Sequence, residues 1–349
     1  MLSPHGKYGN NMSKNFWIDK LVLVTGATGF IGSWLTEALV NKGAIVTAFV
    51  KKDDPIGLDS IKHLTDKLKV KYGDIREMDA VSSAVEDQDI TFHLAAITQV
   101  SYSVKNPRET VEIDVNGTFN VLEAIRKSNN NSFLVFASTD KVYGEPQYTP
   151  IDEKHPLLAK SPYDASKLAA DRLVYSYFTT YGSKSSTIRW SNTIGGRDSN
   201  ILRVAPDFIR STLNNKPPII RGHGQHIRDF MFVEDTINAA MAVGENQKVS
   251  NGEAFNFGTG KPTKVLDFAK LIIKLTGNEN KLEPVVLYNP TPGEIERQYL
   301  SFDKAKEKLG WVPRFSLEEG LKKSIDWYSK NMWWFAVVDK VSKFYDKNM

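Results

Sequence analysis

The 349-residue chain contains no cysteine, which excludes disulfides, thiolate nucleophiles and cysteine-based zinc sites. Its six histidines show no HExxH or related spacing. His223 and His226 lie three apart in the glycine-flanked GHGQH, and no metal is expected. No run approaches the roughly 18 apolar residues needed to cross a bilayer. The opening MLSPHGKYGNNMSKN lacks an apolar signal core, so a cytoplasmic protein away from membranes is expected, with residues 1–15 as a mobile tail. Charge of one sign is also scarce: 45 basic against 41 acidic residues leave +4, too little to argue for nucleic acid. What remains is ordinary for a globular chain, with 41% apolar and 25% charged residues. The length suits one large or two closely joined domains.

Local patterns then give an order. Leu21 to Val24 reads as a buried strand, followed by a glycine-rich turn and a helix with Ile31, Leu35, Ala38 and Leu39 on one face. Gly43 is placed to end that helix, and residues 44–50 form a second strand, completing a βαβ unit. Further strands are predicted at 68–74, 90–96, 133–139 and 185–191, with long helices at 107–127 and 161–181. This alternation predicts an α/β fold, a Rossmann-type doubly wound parallel sheet. After Gly195, proline and glycine become frequent, and a smaller C-terminal substrate-binding α/β domain is expected. The expected division is 16–195 for the dinucleotide-binding domain, which also receives about 226–262, and 196–225 with 263–349 for the second. The C-terminal aromatic segment from Asp326 has helical spacing and should pack on the body of the protein rather than on a membrane or partner.

Three stretches carry chemistry. Gly26, Gly29 and Gly32 follow the first strand and open the helix, where close backbone approach and free N–H groups suit a diphosphate. At the end of the second strand, Lys51 and Lys52 precede Asp53 and Asp54, so both signs are present where a ribose 2′-position is usually read. In SPYDASK, Ser161 suits an N-cap and Pro162 the first helical position, which puts Tyr163 and Lys167 on one helix face. An ammonium about 6 Å from the phenol, at an effective dielectric near 20, contributes about 2.8 kcal/mol, or about two pKa units. That makes a tyrosine base plausible energetically. Finally, NSFLVFASTDKVYGE places Asp140 and Lys141 immediately after a buried strand and Thr139, where a strand reaching solvent is the bland alternative.

Together, Gly26-x-x-Gly29-x-x-Gly32, Asp74, HLAA (93–96), Ser138 with Thr139, and Tyr163-x-x-x-Lys167 resemble the extended short-chain dehydrogenase/reductase family acting on nucleotide sugars. RWSNTIGG, RDFMFVEDTINA and PGEIERQYLSFDKAKEKLGWVP agree, over about Phe16 to Tyr328. The resemblance implies NAD, with NADP possible, held by Gly26, Thr28, Gly29, Phe30, Ile31, Gly32, Lys51, Asp74, Ile75, Leu94, Ala95, Ala96, Thr98, Tyr163 and Lys167. It implies a nucleotide-diphosphate sugar held by Ser101, Thr139, Asn192, Arg228 and Arg297, with Arg221 and Arg203 as weaker candidates. It also implies a homodimer through the helices at 107–127 and 161–181.

Within the family, TDK at 139–141, NFW and GSWL are similar to CDP-glucose 4,6-dehydratases. The Asp-Lys pair also resembles a set of UDP-N-acetylglucosamine 4,6-dehydratases, whereas KVYGE and RDFMFVED look like dTDP-glucose dehydratases and epimerases. In the implied dehydration, C-4 is oxidised with Tyr163 taking the hydroxyl proton and Thr139 bonding the same oxygen. Asp140 then acts as acid at the C-6 hydroxyl and Lys141 as base at C-5, and hydride returns to C-6, which regenerates the cofactor. The alternatives are a nucleotide-sugar 4-epimerase of the UDP-glucose type, using Tyr163 and Lys167 alone, and a cofactor-binding protein without turnover.

Overall fold

Strand β1 (Leu21–Thr25) is a short apolar run buried along all but its first residue. It sits at the centre of the computed structural model, which describes residues 16–128, 131–289 and 294–347; the tail expected at 1–15 lies outside the described residues. Helix α1 (Phe30–Asn41) follows, and the chain reverses at Gly43, whose φ of +87° suits glycine. Strand β2 (Ile45–Val50) then pairs in parallel with β1. The pattern repeats through β3 (Lys69–Tyr72), α2 (Met78–Val85), β4 (Ile90–His93) and β5 (Phe133–Ala137). Helix α6 (Pro162–Tyr181) leads to β6 (Ser185–Trp190), and β7 (Ala254–Phe257) joins from far along the chain.

All seven strands are parallel, in the order β7-β6-β5-β4-β1-β2-β3. The order reverses beside β1, which opens a crevice at the carboxyl ends of β1 and β4. Alternate residues of each inner strand feed two cores. Val22, Val24, Phe133 and Val135 face the larger one; Leu23, Leu134 and Phe136 face the other, under α2 and α6. Edge strand β3 carries lysines and little buried surface, as a free edge should.

The helix predicted over 107–127 is interrupted. Short helices α3 (Val100–Lys105) and α4 (Pro107–Val111) lead into a single π turn, Glu112–Asn116, before α5 (Gly117–Lys127). The wider turn carries Asp114 inward, where its carboxylate accepts the Ile97 N–H at 2.8 Å and lies 2.6 Å from the Ser166 hydroxyl.

Beyond β6 the chain builds α7 (Val204–Leu213), α8 (Val233–Glu245), α9 (Val265–Leu275) and α10 (Leu317–Lys330). The aromatic segment forms α11 (Trp334–Lys347), which packs on the body: Trp334 and Val338 are buried, and Asp339 pairs with Arg210 at 2.7 and 3.0 Å. Among the described residues no helix is long and apolar enough to cross a membrane.

Candidate active site

The turn after β1 is shaped for close backbone approach. Gly26 has φ +67°, and a Cβ there would stand 2.9 Å from Ala95 N. A Cβ on Gly32 would stand 2.0 Å from Gly26 O, so neither position accepts a side chain. The Thr25 hydroxyl receives the N–H groups of Leu94 and Ala95 at 3.2 Å each, tying the β4 end to this turn. Phe30 and Ile31 open α1 directly behind it. These features fit a dinucleotide whose diphosphate rests against the first turn of α1.

Where the sequence places the adenosine, Thr28 is buried and its hydroxyl donates to Asp54 at 2.5 Å. Asp54 also accepts the Ile56 N–H, so it fixes the β2 loop. Lys51 pairs with Asp53 at 3.4 Å and Asp74 at 3.9 Å. Asp74 in turn holds Arg76 bidentately, at 2.7 and 3.0 Å, and this guanidinium lowers its pKa against the effect of burial. Arg76 was not anticipated from the sequence. Ile75 is buried, with its carbonyl accepting Asn120 Nδ2. Thr98 and Ser101 are exposed on the loop and helix after β4, while Ala96 is half-buried.

Strand β5 explains how a buried run delivers an acid and a base together. Thr139, extended at φ −156°, caps a 3₁₀ turn over Asp140–Tyr143, and its hydroxyl accepts the Lys141 N–H at 3.3 Å. The turn keeps Asp140 inside, 3% exposed, which excludes a strand simply reaching solvent. Its Oδ1 accepts from Thr139 at 3.2 Å, whereas Oδ2 is buried without a hydrogen-bond partner. Burial raises the Asp140 pKa against the opposing Lys141 charge; burial lowers that of Lys141 against the opposing Asp140 charge. Gln298, wholly buried and not foreseen, closes this corner: its carbonyl accepts Lys141 Nζ and its amide donates to Asp140 O at 2.9 Å.

Helix α6 begins with a capping box, Ser161 and Asp164 each bonding the other's backbone N–H, and with Pro162 at its start. Tyr163 therefore enters the site from the first turn, beside Thr139, whose hydroxyl donates to Asp140. Its pKa is raised, chiefly by burial and then by the Asp114 charge, against Arg203 and Thr139. Lys167 is buried with Nζ 4.4 Å above the Phe136 ring. Burial lowers its pKa, and Asp114 and Asp171 oppose that fall.

The residues expected on the substrate side divide. Arg228 is buried, donates to Ile227 O and pairs with Glu294 at 3.2 Å, close enough for its charge to act on Asp140. Asn192 is half-buried with Nδ2 3.3 Å from Asp229 O. Arg297 is exposed on the strand-like segment beside Ile227. Arg203 pairs with Asp198 at 3.2 Å and faces Tyr163, whereas Arg221 is exposed. His223, His226 and Glu296 bring possible ligand atoms within 4.8 Å of one another. However, the Gln225 N–H donates to His223 Nδ1 at 3.0 Å, which leaves the proton on the Nε2 that faces Glu296. That tautomer suits a hydrogen bond to the carboxylate and not a metal ligand.

A family model described as GDP-mannose 4,6 dehydratase matches residues 23–324. A candidate UDP-glucose 4-epimerase of Methanocaldococcus jannaschii is 33% identical over 317 residues, 89% of this chain and 99% of that one. CDP-glucose 4,6-dehydratase of Salmonella typhimurium is 30% identical over 337 residues, covering 91% and 92%. The crystal structure of a Bacillus anthracis dTDP-glucose 4,6-dehydratase in complex with NAD superposes with a TM-score of 0.80 at 26% identity, over 91% of this chain and 99% of that one. With the glycine cradle, the Tyr163–Lys167 helix and these relatives in agreement, the chain belongs to the nucleotide-sugar dehydratases and epimerases of the extended short-chain dehydrogenase/reductase family.

Proposed function

We propose that the protein is a nucleotide-sugar 4,6-dehydratase using NAD, with a CDP-glucose-like substrate. One observation carries the reading: a buried acid, Asp140, with a free carboxylate oxygen stands beside the pKa-lowered Lys141 at the end of β5. A 4-epimerase needs only to take and return a proton at one hydroxyl. Elimination across C-5 and C-6 needs a second acid and base, and this turn supplies both.

Bound NAD supplies a reversible hydride acceptor at the sugar. The relative in complex with NAD supports this cofactor, as does the engagement of Lys51 and Arg76 by carboxylates near the ribose position. Tyr163 takes the C-4 hydroxyl proton, and Thr139 holds the same oxygen. Lys141 removes the proton from C-5, acidified by the neighbouring ketone. Asp140 protonates the C-6 hydroxyl, which leaves as water; C-6 then takes back the hydride while Lys141 returns its proton to C-5, so the net change is loss of one water. Arg228, Arg297 and Asn192 hold the diphosphate side, and Thr98 and Ser101 the open edge. We also read the pair of helices α5 and α6 as a homodimer face, because Phe119, Tyr175 and Tyr181 are exposed there; light scattering at micromolar concentration checks it.

The test is mass spectrometry of the purified protein with CDP-, dTDP- and UDP-glucose. Loss of one water from a sugar nucleotide is expected, and the substrate that reacts names the base. An unchanged mass with a shifted retention time would establish the epimerase instead. Asp140→Asn should slow dehydration roughly 10²–10⁴-fold; a normal rate would remove the acid from this mechanism.

A further inference from the structure

Among the buried charges that the mechanism does not use, one touches the segment carrying Tyr163. Asp114, fully buried in the π turn, reaches the reacting helix through Ser166. Its Oδ1 accepts the Ile97 N–H at 2.8 Å, from the loop that follows β4. Its Oδ2 lies 2.6 Å from Ser166 Oγ, which also lies 2.8 Å from the carbonyl oxygen of Tyr163.

Proton counting makes this arrangement informative. A serine hydroxyl has one proton, yet both of its neighbours can accept. If Asp114 is ionised, Ser166 donates to it. If Asp114 is protonated, it donates to Ser166, which passes its own proton to the Tyr163 carbonyl. The same heavy-atom positions serve both states, so Asp114 can gain or lose a proton without moving.

We propose that Asp114 is the counter-ion of the Tyr163–Lys167 pair, a positioning residue that sets the charge under which Tyr163 works. The inference rests on Tyr163 as the proton acceptor at C-4, a role common to the dehydratase and epimerase readings. The groups around it are consistent. From α6, Lys167 and Tyr163 both feel its charge: burial raises the Asp114 pKa and the Lys167 ammonium opposes that rise, while Asp171 also acts on Lys167. From β4, His93 stays neutral: burial, then Lys167, push its pKa to about 3. From α11, Tyr345 faces Asp114, and Arg203 opposes it at Tyr163. A negative Asp114 keeps Lys167 an ammonium and holds the phenol proton more tightly.

Asp114→Asn tests this with little change of shape. The amide carbonyl can still accept from Ile97, and the amide N–H can donate to Ser166, which then donates to the Tyr163 carbonyl. The variant is expected to fold with an unchanged melting temperature within a few degrees. The pH profile of C-4 oxidation, read as single-turnover reduction of its bound cofactor and so apart from elimination, should move as a whole to lower pH, by roughly one unit or more. A profile that stays in place would overturn the proposal, since a purely structural residue would change the rate and not the pH dependence. If Tyr163→Phe keeps full activity, the reading of the site fails instead, and the two failures are thereby distinguished.

Infrared difference spectra give a second readout that needs no substrate. Lys167→Met should make Asp114 a protonated acid at neutral pH, with a carboxylic C=O band that is missing from the Lys167→Met/Asp114→Asn double variant. Absence of that band in Lys167→Met would equally overturn the proposal.

Discussion

Asp140 and Lys141 occupy neighbouring positions but are pushed in opposite directions, the acid toward protonation and the base toward neutrality, by the same burial. The proposed dehydration requires Lys141 neutral and Asp140 protonated. Its rate should therefore rise with pH through the lowered Lys141 value and fall as Asp140 loses its proton. Because the two interact, the limbs of that bell belong to the pair and not to either residue. Lys141→Gln should abolish the ascending limb and slow elimination roughly 10²–10⁴-fold. Oxidation at C-4 through Tyr163 should survive, so the 4-ketone two hydrogens lighter than the substrate should build up in quenched samples. If the ketone fails to appear, Lys141 also serves the first step. These residues were visible in the sequence because they are adjacent. Gln298 and Asp114 were not: their partners lie 157 and 52 residues away, and an isolated glutamine or aspartate carries no local signal.

At the scale of the element, helix α6 was legible down to its cap because Ser161, Pro162 and Asp164 all act within one turn. The break in the helix predicted over 107–127 was not, since the helical pattern of apolar residues continues across it. Tertiary bonds from Asp114 to Ile97 and Ser166 set the π turn, and no periodicity records them. The same helix α6 is anchored further along by Asp171, fully buried, which holds Arg189 on β6 bidentately at 2.9 Å for each bond and accepts from Ser138. Arg189 also donates to the Tyr143 hydroxyl at 3.0 Å, so one guanidinium joins β6, α6 and the turn that carries the acid and base. Asp171→Ala should cost about 3–5 kcal/mol in urea unfolding, because the guanidinium is left buried without its counter-charge. Replacing both partners with apolar residues should cost less than the single change. Equal losses would show that the pair acts only through its hydrogen bonds to Ser138 and Tyr143.

Across the whole molecule, the strand order follows from alternating buried runs and amphipathic helices, which is why the parallel sheet could be anticipated. Less could be anticipated of the later half, where strands of two and three residues between its helices are too short to carry an alternating pattern. Helix α11 lies beyond the residues matched by the family model, yet it is built into the fold at both ends. Trp334 Nε1 donates to Asp198 O, Asp339 holds Arg210 on α7, and Tyr345 meets the Tyr102 ring on α3 at 4.9 Å. Strand β7 makes a similar long return, pairing with β6 from Ala254↔Thr187 to Phe257↔Trp190. The stretch between them, including the exposed Arg221 and Gln225, is thus a bridge whose two banks are already joined elsewhere. A protease that cuts once at 221–225 would yield two peptides on a denaturing gel and one particle on a sizing column. The nicked protein would come apart only in denaturant, because the later fragment contributes a strand to the earlier fragment's sheet.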